Sequence, residues 1–275
     1  MKVRVRWKRR GSGAGEESEA APQPLLASAG DDPVPQAFVD IHSHILWGMD
    51  DGSKSIEESL AMLAIAAENG TTDIVATPHA NSRYKFEPPV IAERIAALQQ
   101  RLPEGLPRIH SGCDFHLNVP NVQDALLHPA KYTINGLSYL MVEFPDLMIP
   151  PTSEEILRRL VGAGITPVIT HPERNIYLSR DLERLQSWCA MGCLLQITAQ
   201  SVTDRFGQDA KKSAWTLLKM GMAHVIASDG HDPKNRPPRL DSAWRAVKED
   251  LGEGPARQLL IENPRAIING RPVRT

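Results

Sequence analysis

The chain repeatedly places a histidine or an acidic residue at the end of an apolar, strand-like run. Side chains at positions i and i+2 of a strand point to the same side, so His42 with His44 and Asp229 with His231 can each face one metal ion. In a barrel of parallel strands all carboxyl ends meet on one face, where the active sites of such folds lie. The pattern therefore predicts a site for several metal ions and a metal-dependent hydrolase.

The order of the predicted elements indicates the fold class. Strand-like runs lie near residues 38–42, 73–77, 108–113, 139–143, 166–170, 193–198 and 224–228. Helical patterns alternate with these runs. The first of them begins with a capping box, Ser55-Ile-Glu-Glu58. This alternation predicts an α/β fold with a parallel sheet. Ligands at most strand ends favour a closed or nearly closed (β/α)7 TIM-like barrel, while the alternative, an open doubly wound sheet, would gather ligands at one switch point.

Composition divides the chain into two parts and excludes several classes of protein. Residues 1–35 combine a basic run, glycines and an acidic, proline-rich stretch, so we expect a disordered extension before one catalytic domain over 36–275. A net charge of -2 gives no electrostatic case for nucleic acid as a partner. No run of apolar residues is long enough to span a membrane. Three cysteines fit a reducing cytoplasm better than a disulfide framework.

A cysteine-dependent phosphatase is excluded by the positions of the three cysteines. Such an enzyme needs a cysteine followed six residues later by arginine, whereas those positions here hold Val119, Leu195 and Ala199. No glycine-rich loop ending in Lys-Ser or Lys-Thr occurs either, which argues against nucleotide-triphosphate chemistry.

Seven short stretches of the chain resemble the polymerase-and-histidinol-phosphatase (PHP) superfamily. Within it they look like the manganese-dependent tyrosine phosphatases of bacterial capsule and exopolysaccharide clusters. The resemblance extends from about Val39 to the C-terminus and implies a PHP-type (β/α)7 barrel with three metal ions. The stretches are Asp40-Ile-His-Ser-His44, Met49-Asp-Asp-Gly52, Ala76-Thr-Pro-His79, Val142-Glu-Phe144, His171-Pro-Glu-Arg174, Ala227-Ser-Asp-Gly-His231 and Asn263-Pro-Arg265.

The resemblance also implies a ligand set, distributed over three ions. The first ion would be held by His42, His44, Asp114 and Asp229, the second by Asp114, Glu143 and His171, and the third by Asp51, His79 and His231. The family usually has glutamate where this chain has Asp114. A carboxylate that is one methylene shorter can still bind, but bridging two ions then requires a shift of backbone or metal. We expect weaker binding of one ion, or a water in place of the bridge.

The chemistry of such a site suits hydrolysis of a phosphate ester. Clustered divalent ions lower the pKa of a bound water and bind the phosphoryl oxygens, and His, Asp and Glu ligands suit manganese, iron or zinc. Arg174 and Arg236, close in sequence to predicted ligands, match arginines that the family uses for catalysis, and the alternative for both is a salt bridge to Asp232 or Glu173. A phenolate leaving group, with a pKa of about 10, needs little acid assistance.

These observations predict a cytoplasmic protein-tyrosine phosphatase that acts on an autophosphorylated bacterial tyrosine kinase. Alternatives are a PHP phosphatase for a small ester such as histidinol phosphate, and a non-catalytic metal-dependent binding protein. An amidohydrolase would also begin with His-x-His, but it normally adds a lysine at a strand end, and no predicted strand here ends on lysine. The oligomeric state and the identity of the kinase are left open.

Overall fold

The computed structural model describes residues 34–274, so all but the end of the predicted extension over 1–35 lies outside the described residues. Nine strands are parallel to their neighbours; seven of them overlap the seven predicted strand positions, and the two short strands His79–Ala80 and Asp114–His116 were not predicted. The strands are β1 (Phe38–Ser43), β2 (Thr71–Ala76), β3 (His79–Ala80), β4 (Arg108–Ser111), β5 (Asp114–His116), β6 (Tyr139–Glu143), β7 (Thr166–Thr170), β8 (Leu194–Thr198) and β9 (Val225–Ala227).

Helices follow most of the strands, as the sequence pattern predicts. The helices are α1 (Ile56–Glu68), α2 (Pro88–Gln99), α3 (Val119–Leu127), α4 (Ser153–Gly162), α5 (Leu182–Ala190), α6 (Ala199–Val202), α7 (Gln208–Lys219), α8 (Asp241–Leu251), α9 (Glu253–Arg257) and α10 (Asn263–Ile268). Three 3-10 turns (Pro129–Lys131, Ile134–Gly136, Leu178–Arg180) and a π-helical segment (Gln258–Glu262) complete the regular structure of the described residues.

Local signals explain where α1 begins and ends. The Ser55 hydroxyl accepts a hydrogen bond from the backbone N–H of Glu58 at 3.2 Å, and the helix stops one residue before Gly70, which has a φ of 93°. Thr152 precedes α4 in the same manner, but its side chain makes no capping hydrogen bond. None of the helices in residues 34–274 is long and apolar enough to cross a membrane.

The strands are arranged in two sheets with the orders β1-β2-β4 and β3-β5-β6-β7-β8-β9. β3 continues β2 after Thr77 and Pro78, and β5 continues β4 after two residues, so the sheets share two chain segments. Proline has no amide hydrogen, which accounts for one of the interruptions. β1 approaches the segment after β9 through an isolated bridge between Ser43 and Gly230. The ladders of the described residues thus show parallel α/β architecture without a closed ring.

Two layers of apolar side chains lie on opposite sides of the strands. One cluster contains Val39 and Ile41 of β1, and Ile267 and Ile268 of α10 pack against it. The larger cluster lies among the surrounding helices and includes Trp188 of α5. Burying one such side chain contributes about 1.5–3 kcal/mol. Both layers hold the strands in place, so the polar residues that follow the strands have fixed positions.

Candidate metal centre

The carboxyl end of β1 places two histidine side chains side by side. The Nε2 atoms of His42 and His44 lie 3.3 Å apart, and both residues are buried. Oδ1 of Asp229, from the loop after β9, lies 3.5 Å from each of these nitrogens, while Oδ2 of Asp114 lies 3.5 Å from Nε2 of His42. Strands from the two ends of the chain therefore bring their polar residues to one point.

A second group of side chains lies at the start of β5, the end of β6 and the residue after β7. Nδ1 of His79 lies 3.1 Å from Oδ2 of Asp114 and 3.5 Å from Oε2 of Glu143. Nε2 of His171 lies 3.7 Å from Oε1 of the same glutamate. Asp114 is thus shared between the first group and the second.

A third group lies toward solvent. Oδ1 of Asp51 is 3.4 Å from Nε2 of His79 and 3.6 Å from Nε2 of His231, and the ring centroid of His231 lies 3.9 Å from that of His44. The Asp51 side chain is 51% exposed, whereas the two histidines are largely buried. This side of the cluster is therefore the one through which a ligand can enter.

The donors fit divalent cations. Three sets, each with all ligand atoms within 4.8 Å of one another, are His44/Asp51/His79/His231, His42/His44/Asp114 and His79/Asp114/Glu143. Both carboxylate oxygens of Asp114 are buried and make no well-aligned hydrogen bond, although Oδ2 lies 3.1 Å from Nδ1 of His79 and 3.5 Å from Nε2 of His42. A buried carboxylate without well-aligned hydrogen bonds is costly, and bound cations would relieve that cost. All nine predicted ligands lie in or beside these sets, although their role as ligands stays a prediction.

The charges within the cluster explain large shifts in pKa. Burial lowers the pKa of His79, but Asp114 and Asp51 outweigh it and raise the value to about 12. Burial likewise opposes charge on His44, yet Asp50 raises its pKa to about 9. The carboxylates therefore attract positive charge into this space. In contrast, burial and neighbouring cations lower the pKa of His171 to about 3, leaving a neutral imidazole.

Two arginines contact the cluster through Asp229, sharing its Oδ2, and Arg236 also donates to its backbone carbonyl oxygen at 3.2 Å. Arg174 donates to Oδ2 of Asp229, and Nη2 of Arg236 donates to the same oxygen at 2.5 Å. The alternative partners, Asp232 and Glu173, make no side-chain ion pair with either arginine. Oδ1 of Asp229 meanwhile faces the histidines, so this carboxylate links the arginine pair to the histidine cluster.

The backbone is unusual at two of the predicted ligands. His171 has a φ of 34° and Asp229 a φ of 52°, both in the left-handed region that non-glycine residues avoid. Residues held in such conformations cluster at functional sites. Gly52 shows a related constraint, because a Cβ atom at this position would lie 2.3 Å from the carbonyl oxygen of His44. Only glycine lets this loop approach the histidine.

Sequence reasoning missed several residues that support the cluster. Asp50 bonds Nδ1 of His44 at 2.8 Å and accepts from the N–H of His79 at 3.0 Å, while Oε1 of Gln196 lies 2.8 Å from Nδ1 of His42. Such partners orient ligating imidazoles. A polar Gln196 within the apolar run Leu194–Thr198 was a visible signal, and Asp50 stood beside the predicted Asp51.

The Phe206 ring and the His116 side chain also approach the site. The guanidinium carbon of Arg174 lies 4.1 Å from the ring centroid of Phe206, and that of Arg236 lies 5.6 Å from it. Phe206 lies in the loop between α6 and α7, and no sequence signal marks it. His116, the last residue of β5, has its Nδ1 3.5 Å from Oε2 of Glu143. It therefore borders the second group of ligands.

Comparison with known proteins places this geometry in a family. Residues 38–269 match the family described as capsular polysaccharide synthesis, CpsB/CapC. The chain belongs to this family. Among its relatives, the tyrosine-protein phosphatase CpsB of Streptococcus pneumoniae is 34% identical over 243 residues, covering 84% of this chain and 98% of the relative.

Solved structures were also compared with this chain, and one from the CpsB/CapC family has the same fold. This structure, from a study of YwqE from Bacillus subtilis and CpsB from Streptococcus pneumoniae as unique metal-dependent tyrosine phosphatases, has a TM-score of 0.81 and 30% identity. It covers 86% of this chain and 96% of that chain. The lactonase Lmo2620 from Listeria monocytogenes, at 12% identity and a TM-score of 0.53, covers 86% of this chain and 96% of its own, and is similar in fold alone.

Proposed function

We propose that this member of the CpsB/CapC family is a metal-dependent phosphatase that hydrolyses phosphotyrosine in proteins. The observation that carries the proposal is the meeting of a histidine and carboxylate cluster with an arginine pair at one carboxylate, Asp229. The histidine and carboxylate cluster suits cations, and the arginine pair suits a phosphoryl group. The names of the relatives support phosphotyrosine as the substrate.

The ligand roles follow the three groups of side chains. We assign His42, His44, Asp114 and Asp229 to one ion, Asp114, Glu143 and His171 to a second, and Asp51, His79 and His231 to a third. Divalent ions bound there would supply Lewis acidity that neutralises phosphoryl oxygens and lowers the pKa of water toward neutrality. Asp50 and Gln196 hold the imidazoles of His44 and His42 in position through their second ring nitrogens.

The arginine pair would bind the phosphoryl group. Guanidinium groups stay charged and offer paired N–H donors that match phosphate oxygens. Arg174 and Arg236 lie at the edge of the ligand cluster, and the phosphate would compete with Oδ2 of Asp229 for their N–H groups. The leaving phenolate has a pKa of about 10, so it departs without a dedicated general acid.

Finer features of the proposal have separate support. Manganese suits a site of imidazoles and carboxylates without thiolate, as do iron and zinc. A closed (β/α)7 barrel is supported by the consecutive order of the strand positions and by the bridge between Ser43 and Gly230. The family description, capsular polysaccharide synthesis, favours an autophosphorylated bacterial tyrosine kinase as the protein substrate. Free Cys113, Cys189 and Cys193 agree with a reducing, cytoplasmic setting.

The test compares three substrates on the full chain: p-nitrophenyl phosphate, a phosphotyrosyl peptide and histidinol phosphate. Each is assayed with added manganese, with zinc, and after dialysis against EDTA. We expect turnover of the first two substrates that requires metal and survives alkylation of the thiols.

Three outcomes would contradict the proposal. Full activity after removal of metal would exclude the mechanism, and a clear preference for histidinol phosphate would replace the protein substrate by a small ester. A metal-loaded protein without any turnover would indicate a non-catalytic, metal-dependent binding protein.

A further inference from the structure

A cavity of about 530 Å³ lies directly beside the arginine pair. Arg174 and Phe206 form the wall on the side of the metal centre, and the 3-10 turn Leu178–Arg180 and the first turns of α7 contribute the remainder. Arg174 also lines a smaller depression that contains Glu143 and His171. The two spaces therefore share one side chain, and a molecule whose phosphoryl group reaches the arginines has this cavity next to it.

The charges along the cavity are unequal. Arg180 and Lys212 are exposed and make no ion pair with another described residue, so both cations are available to a ligand. Asp209 is the exposed acid in the wall, and it makes no ion pair within the described residues either. The other acid, Glu173, is buried and accepts hydrogen bonds at Oε1 from the N–H of Thr198 and the hydroxyl of Ser201. The accessible side chains thus carry a surplus of positive charge.

Unpaired polar groups also line the cavity. Oγ of Ser213 and Oε2 of Glu173 are buried without a hydrogen-bond partner, and Ser213 is only 8% exposed. The first residue before α7, Gly207, provides no side-chain cap, so the helix start adds positive potential beside Asp209. Buried polar groups without partners are uncommon in folded proteins.

We propose that this cavity binds the polypeptide next to the phosphotyrosine, and that Arg180 and Lys212 favour acidic residues in that polypeptide. The inference rests on the proposed function, because it takes the phosphotyrosine to lie at Arg174 and Arg236. A protein substrate, unlike a small ester, extends beyond its phosphoryl group and needs such a surface. Arg174 of the arginine pair lines the cavity, and the cavity's exposed charge is complementary to aspartate and glutamate.

The test uses the full-length protein with manganese and three phosphotyrosyl peptides of equal length, whose flanking residues are acidic, neutral or basic. Each peptide rate is divided by the rate of the same preparation on p-nitrophenyl phosphate, which has no flanking residues. We expect the acidic peptide to have a KM about three- to tenfold below that of the basic peptide, the scale of two exposed ion pairs. The preference should weaken as salt is added.

Variants of the cavity's two exposed cations test whether the preference for the acidic peptide arises there. Arg180→Ala with Lys212→Ala should abolish it, and Arg180→Glu with Lys212→Glu should reverse it toward the basic peptide. Lys211→Ala is the matched control, because Lys211 is the neighbouring residue on α7 but lines a different depression, and it should retain the preference.

Three results would overturn the inference. They are equal KM values for all three peptides, a preference that survives in the double Glu variant, and a preference that Lys211→Ala removes. A wild-type protein that hydrolyses neither p-nitrophenyl phosphate nor any peptide would show a different failure, that of the proposed function itself.

Discussion

Two networks of histidine, aspartate and arginine occur in this molecule, and they differ in how their polar atoms are satisfied. The first is the metal-centre cluster described above, at the carboxyl ends of the strands. The second, the Asp73 network, consists of Asp73, His110, Asn135 and Arg265. Nε2 of His110 bonds Oδ1 of Asp73 at 2.9 Å, Nδ1 of His110 lies 3.1 Å from Nδ2 of Asn135, and Arg265 donates to Oδ2 of Asp73 at 3.3 Å.

This difference distinguishes a candidate metal site from a network that only stabilises the fold. In the Asp73 network both carboxylate oxygens and both ring nitrogens have partners, and Asn135 also donates to the carbonyl of Ile268 in α10. In the metal-centre cluster neither oxygen of Asp114 makes a well-aligned hydrogen bond, and Oδ2 has only histidine nitrogens beside it, at 3.1 Å and 3.5 Å. Residue type alone does not distinguish the two, because both contain a histidine between an acid and another polar group. The unsatisfied atoms do distinguish them, since they leave room for a ligand.

Removing the shared carboxylate should have the largest effect. Asp114→Ala takes a donor from two of the proposed ions, so metal content and turnover should fall together, by more than the roughly 10²–10³-fold loss of a single preorganised donor. Asp114→Glu, which restores the length usual in the family, should keep or raise the metal affinity. Metal analysis beside turnover tests both variants. Unchanged metal and rate in the Ala variant would make Asp114 an ordinary buried acid.

Variants of the arginine pair should lose turnover without losing metal. Replacing Arg174 or Arg236 with Ala should lower turnover by about 10²–10³-fold with the ions retained, because each contributes donors to the phosphoryl group. Lysine should rescue only partly, since it keeps the charge but loses the paired donors. The measurement is metal stoichiometry beside turnover. Normal turnover would reduce that arginine to a salt-bridge partner of Asp229.

The aromatic ring beneath the pair should have a smaller effect. Phe206→Leu removes the π face near both guanidinium groups, and we expect about a tenfold loss in kcat with unchanged metal content. Phe206→Trp should retain most of the activity if the ring positions the arginines. Equal losses in the Leu and Trp variants would instead indicate that only the packing of this loop matters.

The Asp73 network should affect stability and leave the chemistry intact. Asp73→Asn should destabilise the fold by about 1–3 kcal/mol, the scale of a broken charged hydrogen bond, with the same turnover per folded molecule. The hydrogen bond from His110 holds the pKa of Asp73 below its ordinary value, although burial opposes this. A lowered pKa stabilises the fold above the unfolded value of about 3.9, and this contribution disappears as the pH falls through the folded value.

Urea unfolding of the Asp73→Asn variant and the wild type across pH tests this account. The difference between their free energies of unfolding should be largest near neutrality and shrink in acid. A difference that does not depend on pH, or a loss of bound metal in the variant, would show that the Asp73 network is not the separate, fold-stabilising network described here.

The sequence revealed much of the site because strand geometry determines it. The alternation of side chains placed His42 with His44 and Asp229 with His231, and apolar runs placed other candidate ligands at one end of the strands, whereas Asp51 was predicted only from the family resemblance. The sequence did not reveal that the two candidate arginines would share Asp229, since that contact joins loops 55 residues apart. Nor did it show Phe206, whose position depends on the packing of the loop before α7.

The fold was predictable to a similar extent. The strand positions and the longer helices follow from periodicity and caps such as Ser55. The division into two sheets follows from local breaks between β2 and β3 and between β4 and β5, which periodicity does not detect. His110 lies within β4 and not at its carboxyl end, and its partners Asp73 and Asn135 show that it belongs to the structural network.

The central claim is that the metal-centre cluster holds divalent ions and the Asp73 network holds none. Crystals of the active protein grown with manganese, measured on both sides of the manganese absorption edge, test it most directly. The account predicts anomalous peaks among His42, His44, Asp114, His79 and Asp51, with none near Asp73 or His110. An active protein with no peak in the cluster, or with its metal bound elsewhere, would contradict it.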